Sequence, residues 1–417
     1  MGSQGNRLSE LAEVHGTPLL VIDGPTVERE VTRFREALAA SPGGRLLYAS
    51  KALSLVPLIE RIAAFGADIE AVSPGEVTTA LEAGVEPSRL VVNGSPKSPE
   101  EIDFYVRSGV STFVLDAFEE VDSLEGALAS HHREASVLIR YTPERAPDTH
   151  RYVQTAGRDS KFGFLKDEVL QVADRVLRSE RIHWTGIHVH IGSNLMTIDD
   201  HLGAGTDASD LIAELLDRTG VLPRVLDLGG GFAASRPDRS PDITGLVRRL
   251  DTVLSRRFGA SRPQIWFEPG RALIEGAGTL VYRVLSVKRR PTRPIVLLDG
   301  GMGDNIRPAL YGAEYEIGFH PMHEGPTGSY EVYGRYCESG DRIGTVQSGP
   351  VQPGDLAFLA RAGAYTYSMA SNYNRVGRPA VVWDDPSGSA ILARREDPSD
   401  ILRLDGLRAE PLGIRWT

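Results

Sequence analysis

The chain has 417 residues, 41% of them apolar and 24% charged, which is enough to bury one large core or two ordinary ones. Its 56 acidic side chains outnumber 46 Lys and Arg, for a net charge of −10 with no dense basic block, which argues against nucleic acid or an anionic membrane surface as the main partner. A single cysteine, Cys337, rules out an intrachain disulfide, and no apolar run approaches the ~18 residues of a membrane span. The opening "MGSQGNRLSE" lacks a basic and apolar signal pattern, so a cytoplasmic location is expected.

The first strand-like run, "PLLVID" (18–23), stands apart from the later ones. From about residue 45 to 270 a β-branched run, a helical pattern and a Gly recur. The strand candidates are "RLLYAS" (45–50), "DIEAVS" (68–73), "RLVVNG" (89–94), "TFVLDA" (112–117), "ASVLIRY" (135–141), "TGIHVHIG" (185–192), "RVLDLGGG" (224–231) and "QIWFEPG" (264–270). They are nearly continuous apolar runs, as strands buried on both faces require. Between the first two, Leu55, Leu58, Ile59, Ile62 and Ala63 follow helical spacing, and Gly66 suits the left-handed position that ends a helix. Val77, Ala80 and Leu81, closed by Gly84, repeat the scheme. Eight such units predict an α/β fold: a (β/α)8 TIM-type barrel over 27–275, with a doubly wound open sheet as the rival. The stretch 142–184 exceeds an ordinary loop and is a candidate lid. After 275, "TLVYRVLSVKRR", "RPIVLLDGG", "SYEVYGRY", "DLAFLARAGAY" and "AVVWDD" predict a β-rich sandwich or barrel domain of residues 1–26 plus 276–417, into whose sheet "PLLVID" is a candidate to pair.

Barrel chemistry gathers at the C-terminal ends of the strands. There the sequence places Lys51; His190 and Ser193; Gly229, Gly230 and Gly231; and Glu268, Gly270 and Arg271. Triple glycine lets backbone N–H groups approach an anion without a Cβ in the way, although a plain tight turn reads equally well. A lysine opposite a phosphate cradle suggests pyridoxal phosphate, bound as a Schiff base by an amine whose pKa burial has lowered. The ring nitrogen of that cofactor needs a carboxylate partner, and Glu268 is the candidate; the bland reading is an ion pair with Arg271. His188 and His190, two apart on a strand, share a face and open a rival reading as a metal-dependent barrel hydrolase; otherwise one stacks on a cofactor ring and the other packs in the wall. In the β-rich part, Arg307 and Tyr311 are candidates to bind a carboxylate, Cys337 beside Glu338 is a candidate proton donor, and Tyr365 a candidate phosphate donor or a core aromatic.

"YASKA", "DSKFGF", "HVHIGSN", "LDLGGGF", "EPGR", "DNIRPALYG", "YCESGD" and "GAYTYSMASNYN" occur in an order that resembles the fold-type III pyridoxal-phosphate-dependent decarboxylases from about residue 17 to 385. "RPALY" and "CES" make the chain most similar to the diaminopimelate branch, because ornithine-type relatives carry Cys-Asp where this chain has Cys337-Glu338. The resemblance implies a barrel plus β-domain and the conversion of meso-2,6-diaminopimelate to L-lysine and CO2. It implies that Lys51 carries the cofactor, His190 stacks on its ring, and Glu268 pairs with the ring nitrogen. Ser193, Gly230, Gly231, the "EPGR" turn with Gly270 and Arg271, and Tyr365 would hold the phosphate. Arg271, Arg307, Tyr311, Glu338 and Tyr365 would hold the substrate, and Cys337 would be the proton donor. It implies too that Cys337 and Glu338 act in a partner's site, making a homodimer obligatory. Glu70 replaces a usual Asp, Pro74 a usual Gly, "NGSPKS" a usual "GNNKS" and Asn194 a usual Gln, and "GGGFAAS" lacks a further glycine; these departures leave room for a paralogue acting on a related amino acid in a specialised pathway.

Overall fold

The computed structural model describes residues 2–143, 159–403 and 405. It divides into two compact units, Asp23–Ala277 with Gly363–Ser368, and Met1–Ile22 with Gly278–Ala362 and Met369–Thr417. The short run 363–368, assigned on sequence to the β-rich part with everything after 275, groups with the barrel.

A first helix, α1 (Gly2–His15), leads into β1 (Leu19–Asp23), and α2 (Gly24–Leu38) starts where the Asp23 carboxylate accepts from the Thr26 amide at 3.0 Å. Eight parallel strands come next and close on themselves: β2 (Arg45–Ala49), β3 (Asp68–Ala71), β4 (Leu90–Val92), β5 (Thr112–Leu115), β6 (Ala135–Tyr141), β7 (Ile182–Val189), β8 (Val225–Asp227) and β9 (Gln264–Phe267). The barrel prevails over the open sheet because β9 pairs back onto β2, Arg45 opposite Trp266. Leu47, Val91, Val114, Leu138, Val225 and Trp266 fill its interior.

The helices outside are α3 (Val56–Ala64), α4 (Pro74–Glu82), α5 (Pro99–Arg107), α6 (Glu119–His131), α7 (Lys166–Val176), α8 (Asp199–Thr219), α9 (Ile243–Phe258) and the short α10 (Arg271–Ile274). Leu58, Ile59 and Ile62 are fully buried on α3, and Gly66, at φ +92°, takes the expected left-handed position. The stretch 142–184 is not one loop, since it contains α7 and the start of β7; the lid reading falls mainly on residues 144–158, which lie outside the described residues.

In the other unit β1 does enter the late sheet, pairing antiparallel with β10 (Gly278–Lys288). Around it run β11 (Ile295–Leu298), the short helix α11 (Arg307–Tyr311), β12 (Ile317–His320), β13 (Gly328–Tyr333), β14 (Arg342–Ser348), β15 (Leu356–Ala360), β16 (Ala380–Asp385), β17 (Gly388–Ala393) and the closing helix α12 (Pro398–Leu402). The main sheet has the order β14-β13-β11-β10-β1-β16-β17, with β15 on β10 and β12 on β15. Leu8, Leu11 and Ala12 of α1 pack with Leu19, Val21, Val281, Leu356 and Val382 in its core. No helix among the described residues is long and apolar enough to cross a membrane.

Candidate active site

Lys51 sits in a single 3-10 turn, Ser50–Ala52, where β2 leaves the barrel. That turn is held from several directions. Ser50 Oγ donates to Glu76 Oε2 at 3.0 Å, and the same oxygen accepts from the Val72 amide at 2.8 Å. The Ala52 carbonyl accepts from the Tyr365 amide at 2.8 Å and from Ser368 Oγ at 3.0 Å. Gly270 lies so close that a Cβ there would stand 3.0 Å from both the Ala49 carbonyl and Ala52. The backbone is fixed while the amine is open: the Lys51 side chain is 44% exposed. Lys97 is the useful contrast. Its ammonium is buried, donates to the carbonyls of Gly94 and Val114, and lies 3.1 Å from Glu120, so it is spent on structure.

The expectation that burial lowers the Lys51 pKa is overturned. The buried Glu70 carboxylate, its Oε2 3.9 Å from Lys51 Nζ, raises the pKa, and this outweighs desolvation.

Glu268 is 4% exposed just beyond β9. Its Oε2 accepts from His188 Nε2 at 3.0 Å and from Asn93 Nδ2 at 3.2 Å, whereas Oε1 meets no N–H or hydroxyl donor among the described residues; the Asp227 carboxyl shares a hydrogen bond with this side chain. Burial pushes this carboxyl up, but His188 and then Lys51 and Arg140 hold it below its ordinary value, so it stays ionised. Its neighbour Asp227 goes the other way: desolvation first, then the Glu268 charge, drive it well above the usual range. The ion pair weighed for Glu268 with Arg271 does not form, because Arg271 Nη1 binds Glu275 Oε2 at 2.6 Å.

The two histidines have separate tasks. His188 is fully buried and serves Glu268. His190 lies past the end of β7, where Nδ1 accepts from the Gly230 amide at 3.2 Å, and desolvation drives its pKa well down, so its ring is neutral. The one His/Cys/Asp/Glu group close enough to share a metal ion among the described residues is His188, Asp227 and Glu268, and it leaves out His190, so the His-x-His pair does not act together.

Strand β8 ends earlier than its apolar run because the Asp227 carboxylate accepts from the Gly229 amide at 2.8 Å and bends the chain off the ladder. Gly229 and Gly231 then take φ +60° and +87°. A Cβ on Gly230 would stand 2.4 Å from the Glu268 carbonyl, and one on Gly231 2.3 Å from the Gly192 carbonyl. Glycine is therefore required here for close backbone packing between rim loops. Ser193 sits half-buried in the neighbouring loop, and the Arg271 guanidinium lies 5.0 Å over the Tyr365 ring.

Arg307, Tyr311, Cys337 and Glu338 belong to the β-rich unit. Arg307 lies 5.7 Å over the Tyr311 ring on α11. Cys337 is an exposed free thiol, and Tyr373 Oη donates to Glu338 Oε1. One buried carboxylate ties the loops together: Asp341 accepts from the Met302 amide through Oδ1 at 2.6 Å and from the Tyr336 amide through Oδ2 at 2.8 Å.

Asn93, the anchoring role of His188, and Asp341 were missed on sequence. "HVH" and "YCESGD" hold the second and third in plain view, but an anchor looks like any polar residue until its partner is placed beside it.

The rim fits pyridoxal phosphate. An open amine can meet its aldehyde, and the ionised Glu268 keeps one buried oxygen that no N–H donor takes, which suits a protonated ring nitrogen. Comparison with known proteins agrees. Residues 25–275 match the family described as "Pyridoxal-dependent decarboxylase, pyridoxal binding domain". The chain is 37% identical to diaminopimelate decarboxylase of Bacillus subtilis, covering 95% of this chain and 92% of that one. It is 35% identical to that of Halalkalibacterium halodurans, covering 95% and 93%. The crystal structure of diaminopimelate decarboxylase from Helicobacter pylori complexed with L-lysine superimposes with a TM-score of 0.89 at 27% identity, over 95% of this chain and 99% of that one.

Proposed function

The chain belongs to the pyridoxal-dependent decarboxylases, and we propose that it converts meso-2,6-diaminopimelate to L-lysine and CO2. The observation that carries this reading is an open lysine amine and an ionised, half-committed buried carboxylate on one barrel rim. The chain around them matches diaminopimelate decarboxylases over 95% of its length.

In this reading Lys51 would bond the cofactor and His190 would pack against its ring. Ser193, Gly230, Gly231, Gly270, Arg271 and Tyr365 surround the phosphate. When bound, pyridoxal phosphate supplies the electron sink that makes loss of an α-carboxylate feasible. Glu268 keeps that sink effective by holding a proton at the ring nitrogen, and His188 and Asn93 keep Glu268 oriented. As the α-carboxylate leaves as CO2, its bonding electron pair stays with the substrate; the Cys337 Sγ–H then gives its proton to the α-carbon, and solvent restores the thiol. Arg271, Arg307, Tyr311 and Tyr365 take the remote carboxylate and Glu338 the remote amino group. Leaving such groups unpaired on a shorter substrate costs on the order of 2–5 kcal/mol, which is the source of selectivity. Cys337 and Glu338 work in the site of a second copy, so the active form is a homodimer, in keeping with a cytoplasmic biosynthetic enzyme.

A paralogous activity on a related amino acid is the second reading, favoured by Glu70, Pro74 and Asn194. The two part when cofactor-loaded protein is offered meso-diaminopimelate, L-lysine, L-ornithine and L-arginine. CO2 from the first alone supports the proposal; a yellow protein that releases CO2 from none supports the paralogue.

A further inference from the structure

Three carboxyls stand around the Lys51 turn. Glu76 is committed to Ser50 and the Val72 amide, and Glu268 is committed through Oε2 to His188 and Asn93. Glu70 is different. It lies near the C-terminal end of β3, in register with Ala49, the last residue of β2, and with Val91, which points into the core. It is wholly buried, and neither oxygen has a hydrogen-bond partner among the described residues. An unpaired buried carboxyl on that face is expensive unless it is used. The group within reach is the Lys51 amine, 3.9 Å from Oε2.

We propose that Glu70 is the proton partner of Lys51, taking the ammonium proton when the amine must attack the cofactor aldehyde and returning it when the substrate amine displaces it. This rests on the reading of Lys51 as the cofactor-bonding amine. The exchange would balance: ammonium and carboxylate become amine and carboxylic acid, the freed lone pair forms the C–N bond as the aldehyde C=O bond breaks, the aldehyde oxygen leaves as water with the two amine hydrogens, and the Glu70 proton returns to the nitrogen, with no net charge on the pair before or after. Neutrality matters because a lone charge left on either group would lose its counter-ion beside a dry barrel core.

The surroundings make the Glu70 carboxyl a far better proton acceptor than an ordinary carboxylate. Desolvation holds the Glu70 carboxyl up, to about 8, against the downward pull of Lys51, while Glu268 and Glu76 add to the rise and Arg140 opposes it. Lys51 in turn faces Glu70, Tyr365, Glu268 and Arg140, and acts on His188 and His190.

The test uses full-length protein stripped of cofactor and mixed with free pyridoxal phosphate. The yellow band of the protonated lysine linkage is followed against pH for wild type, Glu70→Gln, Glu70→Asp and Lys51→Ala. In Glu70→Gln the pH at which the band is lost falls by about one unit, a tenfold change in the protonated fraction at fixed pH, with Glu70→Asp in between. The rate of band formation loses its titration near pH 8 in the Gln variant. A merely structural Glu70 would weaken cofactor binding without moving either midpoint. Should Glu70→Gln fail to fold, Glu70→Asp decides by the same shift. A midpoint and rate profile equal to wild type overturn the proposal. A wild type that never yellows, or a Lys51→Ala that does, overturns the Lys51 reading and this inference with it.

Discussion

Replacing Glu268 with Gln isolates the charge at the proposed ring-nitrogen partner. The side chain is 4% exposed, so the carboxylate acts in a poorly screened site. Gln is nearly isosteric and keeps the His188 bond through its carbonyl, because His188 Nε2 donates there at 3.0 Å. Its NH2 then occupies the place of Oε1. A donor there favours an unprotonated ring nitrogen and removes the attraction to a developing charge. Loss of one preorganised charge contact in a dry site costs about 3–4 kcal/mol, or about 10²–10³ in kcat. The assay is CO2 release from meso-diaminopimelate with cofactor binding measured separately by absorbance. A Gln variant that binds cofactor and keeps kcat within about threefold would refute the role of Glu268.

His188→Ala keeps the carboxylate but removes its first anchor. A smaller loss is expected, about tenfold in kcat, with a rise in the Glu268 pKa seen as an acid limb displaced upward in the pH–rate profile. Lys51→Ala abolishes the yellow absorbance of the cofactor-loaded protein; retained colour with full turnover would remove Lys51 from its role. Cys337→Ala keeps the cofactor spectrum but loses most turnover, and unchanged turnover would exclude it as proton donor. Asp304, wholly buried beside the Gly301 amide, has its carboxyl pushed up to about 7 by desolvation. Raised above its unfolded value, it contributes stability that is fully present below about pH 4 and lost as pH rises through about 7. Asp304→Asn, neutral at every pH, should flatten that fall in the thermal midpoint, which calorimetry across the range reads directly; an unchanged slope would assign the fall to other groups.

Much of the fold was legible because barrel strands are buried on both faces and carry their signal in continuous apolar runs. The eight candidates between Arg45 and Gly270 all became strands. What sequence missed has a common cause: α1, β12, β14 and β17 are short or half-exposed elements whose pattern depends on neighbours far along the chain. Strand ends were overrun at Asp227, where a side-chain bond to Gly229 stops the ladder and an apolar run does not reveal it. At the site, Lys51, the triple glycine and Glu268 were visible from their place at strand ends. The direction of the Lys51 pKa shift was not, since it turns on Glu70, which spacing alone does not bring within 3.9 Å.

Decarboxylation of diaminopimelate shows most plainly in the stoichiometry of a single reaction. Purified protein loaded with pyridoxal phosphate is given meso-diaminopimelate, and CO2 and L-lysine are quantified together. One lysine is expected for each CO2, and none of either from Lys51→Ala. A loaded, yellow wild-type protein that forms neither product from diaminopimelate would contradict the proposed function.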